Sequence, residues 1–173
     1  MAFSIISHTF ARYFDFSDIM KSTLSYSINL KSLPLGKHHF TFDIEDDFFA
    51  LFEGSEIQKG RLTVTVEVDK KQTFSELLIL IKGSVTTECD RCLDEMNIPI
   101  DNKSEATAKF ITQGQKDNID DEGIIWVDAM ENNINLAQFL FDAIILSLPL
   151  QRVHAEGECN KEMTAKLASL QIN

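Results

Sequence analysis

The chain has 173 residues, the size of one domain, and 44% of them are apolar, enough to bury a proper core. Twenty-seven acidic residues against sixteen Lys and Arg give a formal net charge of −11, which argues against a broad phosphate-binding face, because such faces are built from clustered basic residues, but leaves room for a basic protein partner or for RNA at one local patch. The longest apolar stretch, 136–148, is broken by Gln138, Asp142 and Ser147 and falls short of the ~20 residues of a membrane span.

Residues 1–19 carry scattered aromatics without a sustained period. His8, Arg12, Asp15 and Asp18 interrupt any apolar centre, so no signal peptide is expected there. The segment reads as a poorly structured N-terminal extension ahead of a single domain over 20–173, and Met20 is itself a possible start. Alternation begins with Tyr26, Ile28 and Leu30 on one side and Ser27 and Asn29 on the other, the pattern of a half-buried strand. Pro34 and Gly36 mark a turn, after which Phe40, Phe42 and Ile44 alternate again. Asp46 and Asp47 open a short helical turn carrying Phe48, Phe49, Leu51 and Phe52, closed by Gly54. Leu62, Val64, Val66 and Val68 define the clearest strand, with Thr63, Thr65 and Glu67 outward, and Lys70-Lys71-Gln72 reads as a hairpin connection. The unbroken apolar run 77–81 predicts a strand covered on both faces, and 85–88 extend it to Cys89. Met96, Ile98, Ile100 and then 106–111 bring the chain back, giving an antiparallel meander with 89–92 at one turn.

Residues 112–123 are polar and acidic and predict a mobile loop; 124–127 predict a short strand. Asn135 is expected to cap a helix running to Leu148, with Gln138 completing a capping box. That helix is apolar nearly all round, which predicts burial against the sheet, and Pro149 closes it. Asn160 caps a last helix on which Met163, Leu167 and Leu170 share a face. Strands first and helices last predict an α+β domain: an antiparallel meander or partly closed sheet, a buried helix near the C-terminus covering it, and a short C-terminal helix.

Chemistry-bearing residues concentrate in one constellation, Cys89-Asp90-Arg91-Cys92 with His154 and Cys159. Two cysteines three apart across a turn place both sulfurs on one ion, and His154 and Cys159, five apart with Gly157 between them to bend the backbone, complete a tetrahedral set of three sulfurs and one nitrogen. No glycine follows Cys92, where a rubredoxin-like knuckle often has one. Two other readings stand beside the metal: small buried thiols with an unrelated surface histidine, and redox chemistry, which normally needs a helix N-terminus to stabilise the thiolate. A nucleophilic Cys–His pair would need a third, orienting group that the sequence does not offer. With no secretion signal, the three cysteines read as reduced thiols in a cytoplasm. Asp46-Asp47 and Asp120-Asp121-Glu122 read as a cap and a solvated loop, and Lys37-His38-His39 and Lys59-Gly60-Arg61 as solvated turns.

Glu-Cys-Asp-Arg-Cys-Leu at 88–93 and Ile-Leu-Ser-Leu-Pro-Leu-Gln-Arg-Val-His-Ala-Glu-Gly-Glu-Cys at 145–159 resemble the YceD family, in which a C-x-R-C turn is followed later by a helix, Leu-Pro, Val-His, four residues and Cys. The order and spacing match in both halves, over roughly 24 to the C-terminus, and the ending His-Ala-x-Gly-x-Cys-Asn is similar to Bacteroidetes-type members. The resemblance implies a cytoplasmic, non-enzymatic accessory factor in accumulation of large-subunit ribosomal RNA. It carries over Cys89, Cys92, His154 and Cys159 as the site, expected to hold a structural zinc, and Arg91 with no role assigned. The expected partner is a large-subunit precursor, met through a basic ribosomal protein or the RNA; the acidic loop 115–122 is the candidate surface. A protein-binding adaptor unrelated to ribosomes and a thiol- or metal-dependent enzyme are the alternatives.

Overall fold

The computed structural model describes residues 25–111, 123–128 and 133–170. The expected extension 1–19 and the acidic loop 115–122 lie outside the described residues. Alternating apolar sequence produces a five-stranded sheet in the order β2 (Gly36–Ile44), β3 (Lys59–Lys70), β4 (Phe74–Glu88), β5 (Glu95–Ile111) and β6 (Ile124–Asp128). A second, two-stranded sheet pairs β1 (Ser27–Ile28) with β7 (Ile134–Asn135). Three helices complete the described chain: α1 (Asp46–Phe49), α2 (Ala137–Leu146) and α3 (Lys161–Leu170). The architecture is the expected α+β arrangement, with the sheet left open.

Neighbouring strands from β2 to β5 run antiparallel, so the meander forms as read. Strand β6 breaks it, lying parallel to β5 with Thr107 opposite Ile124 and Ile111 opposite Asp128. Inner-face residues fall in register: Val66 stands opposite Ile79 and Val64 opposite Ile81, and all four are fully buried. The 77–81 run is covered on one face only. Leu77, Ile79 and Ile81 are buried, whereas Leu78 and Leu80 are half-buried on the outer face among polar neighbours.

The inner face is closed by aromatics. In α1, Phe48 meets Tyr26 and Phe49 edge-on at 4.8 and 5.4 Å, and Phe52 just beyond stacks on Phe141 of α2 at 4.0 Å. Asp46 does not cap its own helix. Its Oδ1 accepts the Gly60 N–H at 2.8 Å and ties α1 to β3. Helix α2 buries Ala137, Leu140, Ala143 and Ile144, and packs over β5. Its N-cap is Leu136, with no side-chain cap bond; the expected cap, Asn135, lies one residue earlier and accepts the Ala137 N–H through Oδ1 at 2.9 Å. The capping box is absent, because Gln138 turns forward to Asp142. The helix ends at Leu146, earlier than expected, where the Ser147 hydroxyl donates to the Ala143 carbonyl and accepts from Asn102 of β5. Leu146 points to solvent, so burial covers one side and not the whole circumference. Lys37-His38-His39 and Lys59-Gly60-Arg61 stand in strands β2 and β3, not in turns.

Candidate metal centre

Strand β4 delivers Cys89 at its end, and the chain reverses through 90–94 into β5. The reversal is a knuckle: the Leu93 N–H donates to the Cys89 carbonyl and the Cys89 N–H to the Asp94 carbonyl, each at 2.9 Å. Leu93 occupies the left-handed region at φ 62°, the one described non-glycine residue to do so. The glycine missing from the sequence after Cys92 is thus replaced by a leucine forced into the same backbone shape.

The second half of the site follows α2. Residues 149–159 run back beside the knuckle and are stitched to it at Asp90. The Asp90 N–H donates to the Arg152 carbonyl and the Arg152 N–H to Asp90 Oδ2, both at 2.7 Å. The Arg152 guanidinium pairs with Asp90 Oδ1 at 3.3 Å and with Glu56. This clasp holds the Asp90 carboxyl below the usual carboxylate range, first through the Arg152 N–H and then through its charge. Gly157 turns the chain at φ 87° and brings Cys159 in just before Asn160, whose Oδ1 accepts the Glu162 and Met163 N–H groups and caps α3 as expected.

The four predicted residues converge. One ligand atom from each of Cys89, Cys92, His154 and Cys159 lies within 4.8 Å of all the others, and such a group could hold a metal ion. Cys89 Sγ is 3.9 Å from Cys159 Sγ, and Cys92 Sγ is 3.4 Å from His154 Nδ1. The three thiols are buried and form a small core of their own, flanked by Met96, Val153 and Met163, while His154 is half-buried. Burial pushes the Cys89 thiol up, but N–H donation from the backbone of Cys92, His154 and Arg91 outweighs it and holds the thiol down at about 6. Hydrogen bonding to Cys89 and Cys92 raises the His154 imidazole. Burial, with the neighbouring thiols, raises Cys159.

One residue of this site was not read from the sequence, and another was read without a role. Arg152 carries no local signal, because its partners Asp90 and Glu56 are distant in the chain. Arg91 was singled out without a role, and its Nη1 reaches the Cys159 sulfur at 3.8 Å.

Compared with known protein families, residues 78–173 match YceD, the large ribosomal RNA subunit accumulation protein YceD. The match spans more than half of the chain and includes all four cluster residues, and the chain belongs to the YceD family. Comparison with curated proteins and with solved structures gives no match.

Proposed function

We propose that this chain supports accumulation of large-subunit ribosomal RNA in the cytoplasm as a binding factor without catalysis, and that Cys89, Cys92, His154 and Cys159 hold one structural zinc ion. The observation that carries the reading is the convergence of four soft and borderline donors within the segment that matches the family. Around a tetrahedral zinc ion with bonds of ~2.3 Å to sulfur and ~2.0–2.1 Å to nitrogen, sulfur–sulfur edges are ~3.8 Å and sulfur–nitrogen edges ~3.6 Å. The separations of 3.9 and 3.4 Å are close to those edges. Four protein donors fill the coordination shell and leave no position for a substrate, which supports a structural role. Thiol chemistry would draw on the lowered Cys89 thiol, but that residue has no exposed surface.

With a net charge of −11, approach to RNA is opposed by repulsion, which favours a basic ribosomal protein as the first contact. The test is depletion. The ratio of large- to small-subunit RNA is expected to fall and precursor RNA to build up. A normal subunit profile at both optimal and low growth temperature would remove the ribosomal role and leave a general adaptor.

A further inference from the structure

Three thiolates and a neutral imidazole around a divalent ion leave the centre with one surplus negative charge. The sulfurs do not share protection against that surplus equally. Cys89 and Cys92 are shielded by burial, at 0% and 1% exposed. Cys159 is the most exposed of the three, at 8%, and the one N–H donor to its sulfur among the described residues is the Arg91 side chain, at 3.8 Å. Arg91 itself makes no ion pair among the described residues, although the chain carries 27 acids; its ion-pairing neighbour in this corner is Arg152, which takes Asp90 and Glu56. Outer-sphere donors of this kind fix a ligand and damp the nucleophilicity of a metal-bound thiolate.

We infer that Arg91 is a positioning residue for the metal centre: its guanidinium donates to the Cys159 sulfur, offsets the surplus charge of the thiolates and keeps that ligand on the ion. The inference rests on the metal reading proposed above. It gives the Arg of the Cys-Asp-Arg-Cys turn a task that spans the two halves of the site, and it makes Cys159 the ligand whose loss Arg91 controls.

The test uses the full chain loaded with zinc, and separately with cobalt. Wild type, Arg91→Met and Arg91→Lys are treated with iodoacetamide, and alkylation of each cysteine is followed by mass spectrometry. Methionine keeps the aliphatic cover and removes the donor; lysine restores the charge. Arg91→Met is expected to speed alkylation of Cys159 by about tenfold, the scale of a lost hydrogen bond to a charged group, with Cys89 and Cys92 unchanged. Arg91→Lys should return most of the protection. The sulfur-to-cobalt charge-transfer band should move to longer wavelength in Arg91→Met. Equal rates in all three proteins, or a parallel rise at all three cysteines with the band unmoved, would overturn the role of Arg91 and leave the metal site standing. A wild-type chain that takes up neither zinc nor cobalt would overturn both.

Discussion

Leu93 is held at φ 62°, where an L side chain costs roughly 1–2 kcal/mol because Cβ crowds the following carbonyl. Its side chain is 60% exposed and recovers little of that through burial. Leu93→Gly is therefore expected to be neutral or stabilising by up to ~1 kcal/mol, the relief being partly offset by the greater freedom of glycine in the unfolded chain. Leu93→Val should destabilise by ~1 kcal/mol or more, since a branched Cβ tolerates this region worst. Urea denaturation orders the three, and valine above glycine would contradict the strained knuckle. Asp90 offers a pH test. Its folded-state pKa lies below the unfolded value, so its stabilisation is present above pH ~4 and is lost as pH falls through the folded value. The stability difference between wild type and Asp90→Asn should be full at pH 6 and vanish at the acid end. A difference that persists or grows on acidification would show that the clasp with Arg152 does not depend on the charge of Asp90. Lys70, read as a hairpin residue, instead ends β3 and donates through Nζ to the carbonyls of Leu30 and Leu33 at 2.6 Å. A lysine near a turn carries no sequence signal for that task.

At the scale of elements, β4 was legible as an unbroken apolar run, but neither its one-sided burial nor the place where it yields to β3 was. Gly83 sits at φ 150° against Arg61 and Leu62, and a Cβ added there would lie 2.2 Å from the Arg61 carbonyl oxygen. Backbone cannot move aside as a side-chain tip can, so Gly83→Ala is expected to lower stability by ~2 kcal/mol or more. A thermal midpoint within a degree of wild type would contradict the close approach. The direction of β6 was not legible in the sequence, for a physical reason. Alternation is the same in parallel and antiparallel strands, and only the connection discriminates. A parallel neighbour needs a crossover of a dozen or so residues, and 112–123 supply that length. Helix α3 was placed correctly with its Asn160 cap, but its apolar face stays largely open: none of its residues is buried, and Leu170 is 81% exposed. What packs is Met163, against the cysteine cluster. Cys159→Ser should therefore raise hydrogen exchange in α3 while β4 and β5 keep their protection. The cost in stability should stay well under the ~10–16 kcal/mol apparent for isolated zinc fingers, because this domain has its own core. Equal loss of protection throughout would mean that the cluster supports the whole fold.

Over the whole molecule, the candidate site was more legible than its supports. Cysteine spacing and the later His-x4-Cys segment named all four cluster residues, because metal-ligand chemistry restricts which residue types can serve and how far apart they stand. The clasp of Asp90 with Arg152, the donors around Cys89 and the left-handed Leu93 were hidden. Each depends on tertiary placement of backbone groups that every residue carries alike. The same contrast holds for the core. Inner-face positions of β3 follow from its period of two, whereas the aromatic bridge from Phe52 to Phe141 joins residues far apart in sequence with no pattern between them.

The central claim is that this architecture brings two distant segments together around one structural ion. Elemental analysis of protein purified without chelator or acid tests it most directly. The account predicts about one zinc per chain in the wild type and loss of that zinc in Cys159→Ser and His154→Ala, as a closed four-ligand site requires. A wild-type chain without metal, which also fails to take up added zinc under reducing conditions, would contradict it.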